Sequence, residues 1–106
     1  MAHRYRIKIL PSALREIKGI PRPQQKSVRK RINDLADDPR PIGCDVLSGA
    51  PQERIHRVRQ GDWRILYQVF DQELRVLVVR VADRKEIYSD TMMKQLKERL
   101  RAALAK

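Results

Sequence analysis

The segment RIHRVRQGDWRILY, residues 54–67, decides the fold of this chain. On each side of residues 60–62 polar and apolar residues alternate as they do in β-strands, and glycine followed by aspartate favours a tight hairpin turn. Side chains two positions apart in a strand point to the same face of a sheet, so Arg57 and Arg59 should share a face. The hairpin can also bring Arg64 close to them. Guanidinium groups gathered on one face repel each other unless an anion lies across them, and the segment therefore predicts an anion-binding surface.

Downstream of the hairpin the sequence predicts a further strand and a helix. The second hairpin strand has the residues Trp63, Ile65, Tyr67 and Val69 on one parity. A tight turn at Asp71-Gln72 leads to a third strand, Leu74 to Val81, which is apolar on both parities as a central strand covered on both faces would be. The C-terminal segment has one apolar helical stripe, formed by Met92, Leu96, Leu100, Ala103 and Leu104. This stripe indicates a helix that packs on the sheet.

Upstream of the hairpin the pattern predicts a strand, two helices and a loop. Arg4 to Leu10 alternates in polarity and is expected to be a half-buried strand. A short helix should begin near Ser12 and end at Gly19. A longer one should run from about Pro23 to Asp37, with an apolar stripe made of Val28, Ile32, Leu35 and Ala36. Residues 38–52 are rich in proline and glycine and predict a loop, which Val46 and Leu47 should anchor in the core.

The order of these elements predicts the fold class. A strand, two helices, three antiparallel strands and a helix make an α+β domain over residues 1–106, with an antiparallel-rich sheet of about four strands. The two N-terminal helices would cover one face of this sheet. The other face would remain for the arginine side chains and for part of the last helix.

The charge of the chain limits its partners. It has 24 lysines and arginines against 13 acidic residues, a formal net charge of +11. Such an excess favours a polyanionic partner, first a nucleic acid and next an acidic protein segment, without choosing between DNA and RNA. We expect no membrane span, because the longest apolar stretch is broken by Arg75 and Arg80, and we expect a cytoplasmic protein.

The single cysteine has little predicted chemistry. Cys44 cannot form an internal disulfide, and with only His3 and His56 beside it a zinc site of the usual ligand spacing is improbable. No base is visible near Cys44 in the sequence, so it is expected to be a small loop residue and not a catalytic thiol.

Three stretches in this order resemble one protein family. The pattern R-x-R-x-G-D-W-R-I-L-Y (Arg57 to Tyr67), the later D-R-K-E-I-Y (Asp83 to Tyr88) and the DPRPIG loop before the hairpin look like the RelE/ParE superfamily of toxin–antitoxin toxins. The RelE branch is implied to consist of ribosome-dependent endoribonucleases that cut messenger RNA, and the ParE branch is implied to act on DNA gyrase without a nuclease site. Arg84 followed by Tyr88 resembles the RelE branch of mRNA interferases.

The resemblance implies a catalytic set. The family's basic catalytic positions fall on Arg57, Arg64 and Arg84, and Tyr88 is the phenol near the nucleophile. Asp83 departs from the pattern, since relatives often have a basic residue or histidine there, and Ile55 stands where one branch has a lysine. No cofactor or metal is implied. The implied partners are messenger RNA, the ribosome and a cognate antitoxin, which the charge of this chain predicts to be acidic and to wrap the basic face.

Proton transfer is the weakest part of such a site. Arginine keeps its proton to above about pH 12 and is a poor acid or base. Tyr88 could serve only if neighbouring cations lowered its pKa. His56 has the opposite parity to Arg57 and should face away from it. A site of this kind would depend on its surroundings to position the RNA.

Several alternatives stay open at this point. Arg64 could instead be a structural residue paired with Asp62 or Glu73, Tyr88 could cover an edge of the core, and Trp63 fits the core better than a base-stacking platform. The basic face of the second helix could be solvated or could flank the RNA. The candidate RNA-binding residues are Arg29, Lys30, Arg31, Arg59 and Lys85. Competing functions are a ParE-like inhibitor without nuclease chemistry, and a plain nucleic-acid-binding domain or inactive toxin.

Overall fold

A computed structural model describes residues 4–46, 55–86 and 90–104 of the chain, without the side chains at 90–93 and 103–104. Its elements in chain order are β1 (Arg6–Ile9), α1 (Pro11–Lys18), α2 (Arg22–Asp34), β2 (Asp45–Val46), β3 (His56–Gln60), β4 (Trp63–Phe70), β5 (Arg75–Asp83) and α3 (Asp90–Leu104). The α+β class is confirmed. Predictions for Leu47, Tyr88 and the side chains of Met92, Ala103 and Leu104 fall outside the described part of the chain.

The strands form one mixed sheet in the order β1-β5-β4-β3-β2. β1 runs parallel to β5, and the other neighbours are antiparallel. The expected count of about four strands omits β2, which has two residues and pairs with the start of β3. So short a strand carries no alternation in the sequence, and only its pairing partner reveals it.

Each face of the sheet has its own apolar core. The larger core lies between the sheet and α1 and α2; it includes Ala13, Ile17, Val28, Ile32, Val58, Ile65, Tyr67, Val76 and Val78. The smaller core lies under α3 and consists of Ile55, Leu66, Leu77, Val79, Leu96 and Leu100. The predicted separation of the helices is therefore confirmed, with the two N-terminal helices on one face and α3 on the other.

The helix boundaries differ from the expected ones for a local reason. α1 begins at Pro11 after Leu10, and α2 begins at Arg22 after Pro21, and neither start has a side-chain hydrogen bond as a cap. Each helix instead has a proline in its first turn. The fixed φ of proline suits a helix start, and a backbone N–H at that position would have no partner within the helix, so its absence costs little. The prediction that Val46 anchors the loop in the core is wrong, since its side chain lies on the edge strand with 51% of its surface exposed.

The β3–β4 hairpin is tighter than predicted. Gln60 pairs with Trp63, so the turn has only Gly61 and Asp62 at its tip. Gly61 has a φ of +59°, a left-handed conformation that glycine adopts without steric cost. This turn fixes the register that sets the arginines of the two strands beside one another.

One carboxylate joins the layers at the edge of β5. Glu16 of α1 accepts hydrogen bonds from the backbone N–H of Val81 at 3.1 Å and from both terminal nitrogens of Arg99 of α3 at 3.2 and 3.0 Å. Arg80 of β5 lies 3.6 Å from the same carboxylate. This cluster, the Glu16 clamp, links α1, β5 and α3.

Candidate functional site

Four arginines lie on the face of the sheet that α3 partly covers. In the strand register Arg57 is opposite Leu66, Arg59 is opposite Arg64, and Leu66 is opposite Arg80. Directly paired residues point to the same face, and Leu66 belongs to the core under α3. Together, Arg57, Arg59, Arg64 and Arg80 form the arginine face of the sheet.

Arg57 is the most enclosed of the three predicted catalytic arginines. Only 8% of its surface is exposed. Its Nε donates to Oδ1 of Asp45 at 3.0 Å and its Nη2 donates to Oδ2 of the same carboxylate. Both atoms of one edge of the guanidinium are thus occupied by a carboxylate of the neighbouring strand β2.

Arg64 is held by the hairpin itself. Its Nη1 donates to the backbone carbonyl oxygens of Gly61 at 2.9 Å and Trp63 at 3.1 Å. The alternative pairing with Asp62 or Glu73 is not the contact that forms: Asp62 lies by Arg84, and Glu73 pairs with Arg75 at 3.2 Å. Backbone dipoles hold the side chain without neutralising its charge.

Arg84 lies against the same turn from the other side. Its backbone N–H donates to the Asp62 carbonyl at 2.8 Å, and its Nε is 3.8 Å from Asp62 Oδ1. The Arg84 side chain is 59% exposed. The structure therefore brings Arg64 and Arg84 to one end of the hairpin, while Tyr88 lies outside the described residues.

Asp83 has a structural explanation in this chain. Its carboxylate accepts the backbone N–H of Lys85 at 2.9 Å, and its carbonyl accepts the N–H of Glu86 at 2.9 Å. These bonds shape the turn that presents Arg84 and the exposed Lys85. The acid that departs from the family pattern therefore stabilises the turn.

Arg80 is a member of the arginine face that sequence reasoning missed. It is 8% exposed, and its Nη1 donates to Oε1 of Gln95 of α3 at 3.1 Å. Glu16 and Glu86 lie 3.6 and 3.8 Å from its terminal nitrogens. The sequence did contain a signal for Arg80: it lies in a strand that is apolar on both parities. A charge buried in such a strand needs partners.

The basic residues of α2 lie in the other layer. Val28 and Ile32 pack α2 into the core on the opposite face of the sheet. Arg29 and Lys30 are exposed and bond within the helix, to Gln25 at 3.4 Å and to Asp34 at 3.3 Å, whereas Arg31 is half-buried. The structure does not join these three candidate RNA-binding residues to the arginine face.

His56 faces away from the arginine face, as its parity predicts. Its ring stacks on Tyr67 with centroids 5.5 Å apart, and its Nδ1 lies 3.8 Å from the sulfur of Cys44. The expectation that Cys44 has no nearby base is therefore wrong. Tyr67 donates its hydroxyl hydrogen to the carbonyl of Pro39 at 2.7 Å, and burial, followed by the hydrogen bond to Cys44, raises the Tyr67 pKa well above its usual value.

Trp63 behaves as a core residue. It packs against the larger core, and its indole N–H donates to Oε1 of Gln24 of α2 at 2.8 Å. The described residues contain no group of three or more histidine, cysteine or acidic side chains that could hold a metal ion. Among them, too, no helix has the length and apolar character needed to cross a membrane.

Comparison with known families identifies the class of protein. The model of the ParE toxin family, of the type II toxin–antitoxin system parDE, matches residues 7–88. The chain belongs to this family, and it is a toxin of the type II toxin–antitoxin class.

Individual relatives place the chain more closely. It is 28% identical over 86 residues to the mRNA interferase toxin RelE of Escherichia coli K12, covering 79% of this chain and 90% of the relative. A putative RelE-like toxin protein of Escherichia coli is 28% identical over 88 residues, covering 81% and 92%. Within the RelE/ParE superfamily the chain is a member of the RelE-like branch.

Solved structures share the fold. The RelBE2 toxin–antitoxin complex of Mycobacterium tuberculosis has a chain with a TM-score of 0.69 at 21% identity, covering 78% of this chain and 94% of that one. A mutant Escherichia coli RelE in complex with an antitoxin RelBc peptide has a TM-score of 0.60 at 27% identity, covering 86% and 95%.

Proposed function

We propose that this toxin is an endoribonuclease that cleaves messenger RNA on the ribosome, in the cytoplasm. The observation that carries the proposal is that Arg64 and Arg84 lie at the turn of the hairpin, with Arg57 farther along the hairpin on the same sheet face as Arg64. Its curated relatives bear the name mRNA interferase, which supports the same chemistry.

The reaction suits an arginine-rich site. The 2′-hydroxyl of the RNA loses its proton and attacks the adjacent phosphorus, the bond to the 5′-oxygen breaks, and that oxygen takes up a proton. Negative charge gathers on the phosphate oxygens in the transition state. Preorganised donors aimed at such charge are each worth about 2.7–4 kcal/mol. Arg64 is such a candidate, because backbone carbonyls hold it in place without neutralising its charge.

Proton transfer is assigned to Tyr88 by family resemblance. A tyrosine can transfer a proton near neutral pH only where nearby cations favour its phenolate form. His56 is turned to the other face of the sheet against Tyr67 and is not proposed as a base. Among the described residues near the arginine face few groups can move protons, which supports a site that depends on the ribosome to hold the RNA in line for attack.

An antitoxin is the second proposed partner. Solved structures that share this fold come from the RelBE2 toxin–antitoxin complex of Mycobacterium tuberculosis and from RelE–RelB complexes of Pyrococcus horikoshii and Methanococcus jannaschii. A chain with a net charge of +11 favours an acidic antitoxin segment that covers the arginine face and folds as it binds.

Primer extension on a defined messenger RNA, with and without programmed ribosomes, tests the proposal. Wild type should cleave only with ribosomes, and Arg84→Ala should lose cleavage while it keeps its fold. Arg15→Ala, which removes an exposed arginine of α1, is the matched control and should cleave normally. Absence of cleavage by folded wild type in both conditions would refute the proposal.

The second candidate is inhibition of DNA gyrase without nuclease chemistry. The matching family model is described as a ParE toxin, which favours it. A supercoiling assay decides: inhibition by wild type and by Arg84→Ala alike, with no RNA cleavage, would replace the nuclease with this function.

A further inference from the structure

We infer that Asp45 occupies the phosphate-binding edge of Arg57 in the free toxin and is displaced when an RNA phosphate binds there. The inference rests on the proposed function in one respect, namely that Arg57 contacts RNA. It makes Asp45 a residue that sets how tightly the toxin holds RNA.

The Asp45 carboxylate contacts Arg57 in the way that a phosphate would. Nε and Nη2 of Arg57 donate to the two oxygens of the Asp45 carboxylate. A phosphate binds arginine through the same kind of parallel pair of N–H groups. Carboxylate and phosphate therefore compete for this edge, and both cannot use it together.

The two partners differ in how firmly the fold holds them. Arg57 lies in β3 between two neighbouring strands, and its side chain is 10% exposed. Asp45 lies in the two-residue strand β2 at the edge of the sheet, and its side chain is 49% exposed. Val46 beside it is 51% exposed and Ile42 is fully exposed. The acid, and not the arginine, is the partner that can move away.

Displacement of Asp45 would change the charge that the site presents. While the pair holds, the carboxylate cancels the charge of Arg57, and an approaching phosphate meets negative oxygens at the β2 edge. Asp45→Asn keeps the size of the side chain and removes this charge. Wild type must break the Asp45–Arg57 ion pair before a phosphate can bind Arg57. The variant has no such ion pair, so it should bind RNA more tightly.

The test is equilibrium binding of a short single-stranded RNA oligonucleotide, without ribosomes, at one fixed salt concentration. Asp45→Asn should bind on the order of tenfold more tightly than wild type, as loss of one competing charge-assisted contact implies. Asp37→Asn is the matched control: it breaks a different Asp–Arg pair, the exposed pair with Arg4, and changes the net charge by the same amount. Asp37 follows α2 beside β1, at the opposite edge of the sheet, so its effect should stay within about twofold.

A double-mutant cycle locates the effect. Combining Asp45→Asn with Arg57→Gln should abolish the gain, because the competition is for Arg57. A gain that persists without Arg57, or an Asp45→Asn affinity no tighter than that of Asp37→Asn, would overturn the inference.

A measurement on wild type removes any dependence on how the variants fold. The NMR signal of Arg57 Nε–H should shift on titration with the RNA oligonucleotide, as the carboxylate acceptor is exchanged for a phosphate. A signal unchanged at saturation would overturn the inference.

These outcomes separate the inference from the proposed nuclease. Tighter binding through Arg57 with no cleavage on ribosomes would leave the inference standing and refute the nuclease. Ribosome-dependent cleavage with no gain in Asp45→Asn would refute only the inference.

Discussion

Removal of the Glu16 clamp should destabilise the fold more than any surface substitution. Glu16→Ala leaves the Val81 N–H and the guanidinium of Arg99 without the acceptor that they share. The side chains of Arg80, Arg99 and Glu16 are only 10, 22 and 21% exposed, so water replaces the carboxylate poorly.

The magnitude follows from the burial of the cluster. Breaking a fully buried ion pair costs about 3–5 kcal/mol, and a hydrogen bond to a charged group contributes about 1.5–3 kcal/mol. Because about a fifth of Glu16 is exposed, we expect a loss of about 3 kcal/mol in the free energy of unfolding. For a domain of this size that lowers the Tm by roughly 10–15 °C.

Urea unfolding followed by circular dichroism measures this loss. Glu16→Gln keeps an oxygen for the Val81 N–H and should lose about half as much. Glu98→Ala, at an exposed acid of α3, should stay within about 0.5 kcal/mol of wild type. A Glu16→Ala protein as stable as Glu98→Ala would refute the view that this carboxylate holds α1, β5 and α3 together.

Two further predictions concern the loop that precedes β2. Hydrogen bonds from Arg40, first, and from Tyr5 lower the pKa of Asp71 to about 2 from an ordinary 3.8. At a pH above 3.8 this ionised carboxylate should therefore stabilise the fold, and the stabilisation should be lost as the pH falls toward 2. The urea midpoint of wild type should fall more steeply over this window than that of Asp71→Asn, and parallel curves would contradict the assignment. Tyr67→Phe removes the 2.7 Å bond to Pro39 and should cost about 1–2 kcal/mol in the free energy of unfolding, which an unchanged midpoint would disprove.

The elements that could be predicted from the sequence are those with a regular pattern of polar and apolar residues. Alternation around Gly61-Asp62 gave the hairpin and its shared face, and the two-sided apolar run gave β5 as a covered strand. The parity of His56 also placed it on the face opposite Arg57.

Contacts between residues that are far apart in the chain cannot be predicted from such a local pattern. Nothing near Asp45 in the sequence indicates that it pairs with Arg57, 12 positions later. Glu16 and Arg99 are 83 positions apart, and in the sequence Arg80 is only a break in an apolar stretch. The helical pattern likewise does not distinguish Arg31, which lies half-buried, from the exposed Arg29 and Lys30. The site depends on these long-range pairs, and they form only once the sheet exists.

In the proposed nuclease, Arg57, Arg64 and Arg84 stabilise the transition state of RNA cleavage. The most direct test is the single-turnover rate of cleavage of a messenger RNA in programmed ribosomes, compared for wild type, Arg64→Ala and the control Arg15→Ala. Loss of a transition-state donor predicts a rate about 10²–10³ lower for Arg64→Ala, with Arg15→Ala close to wild type. An Arg64→Ala protein that is folded and cleaves at the wild-type rate would contradict the claim.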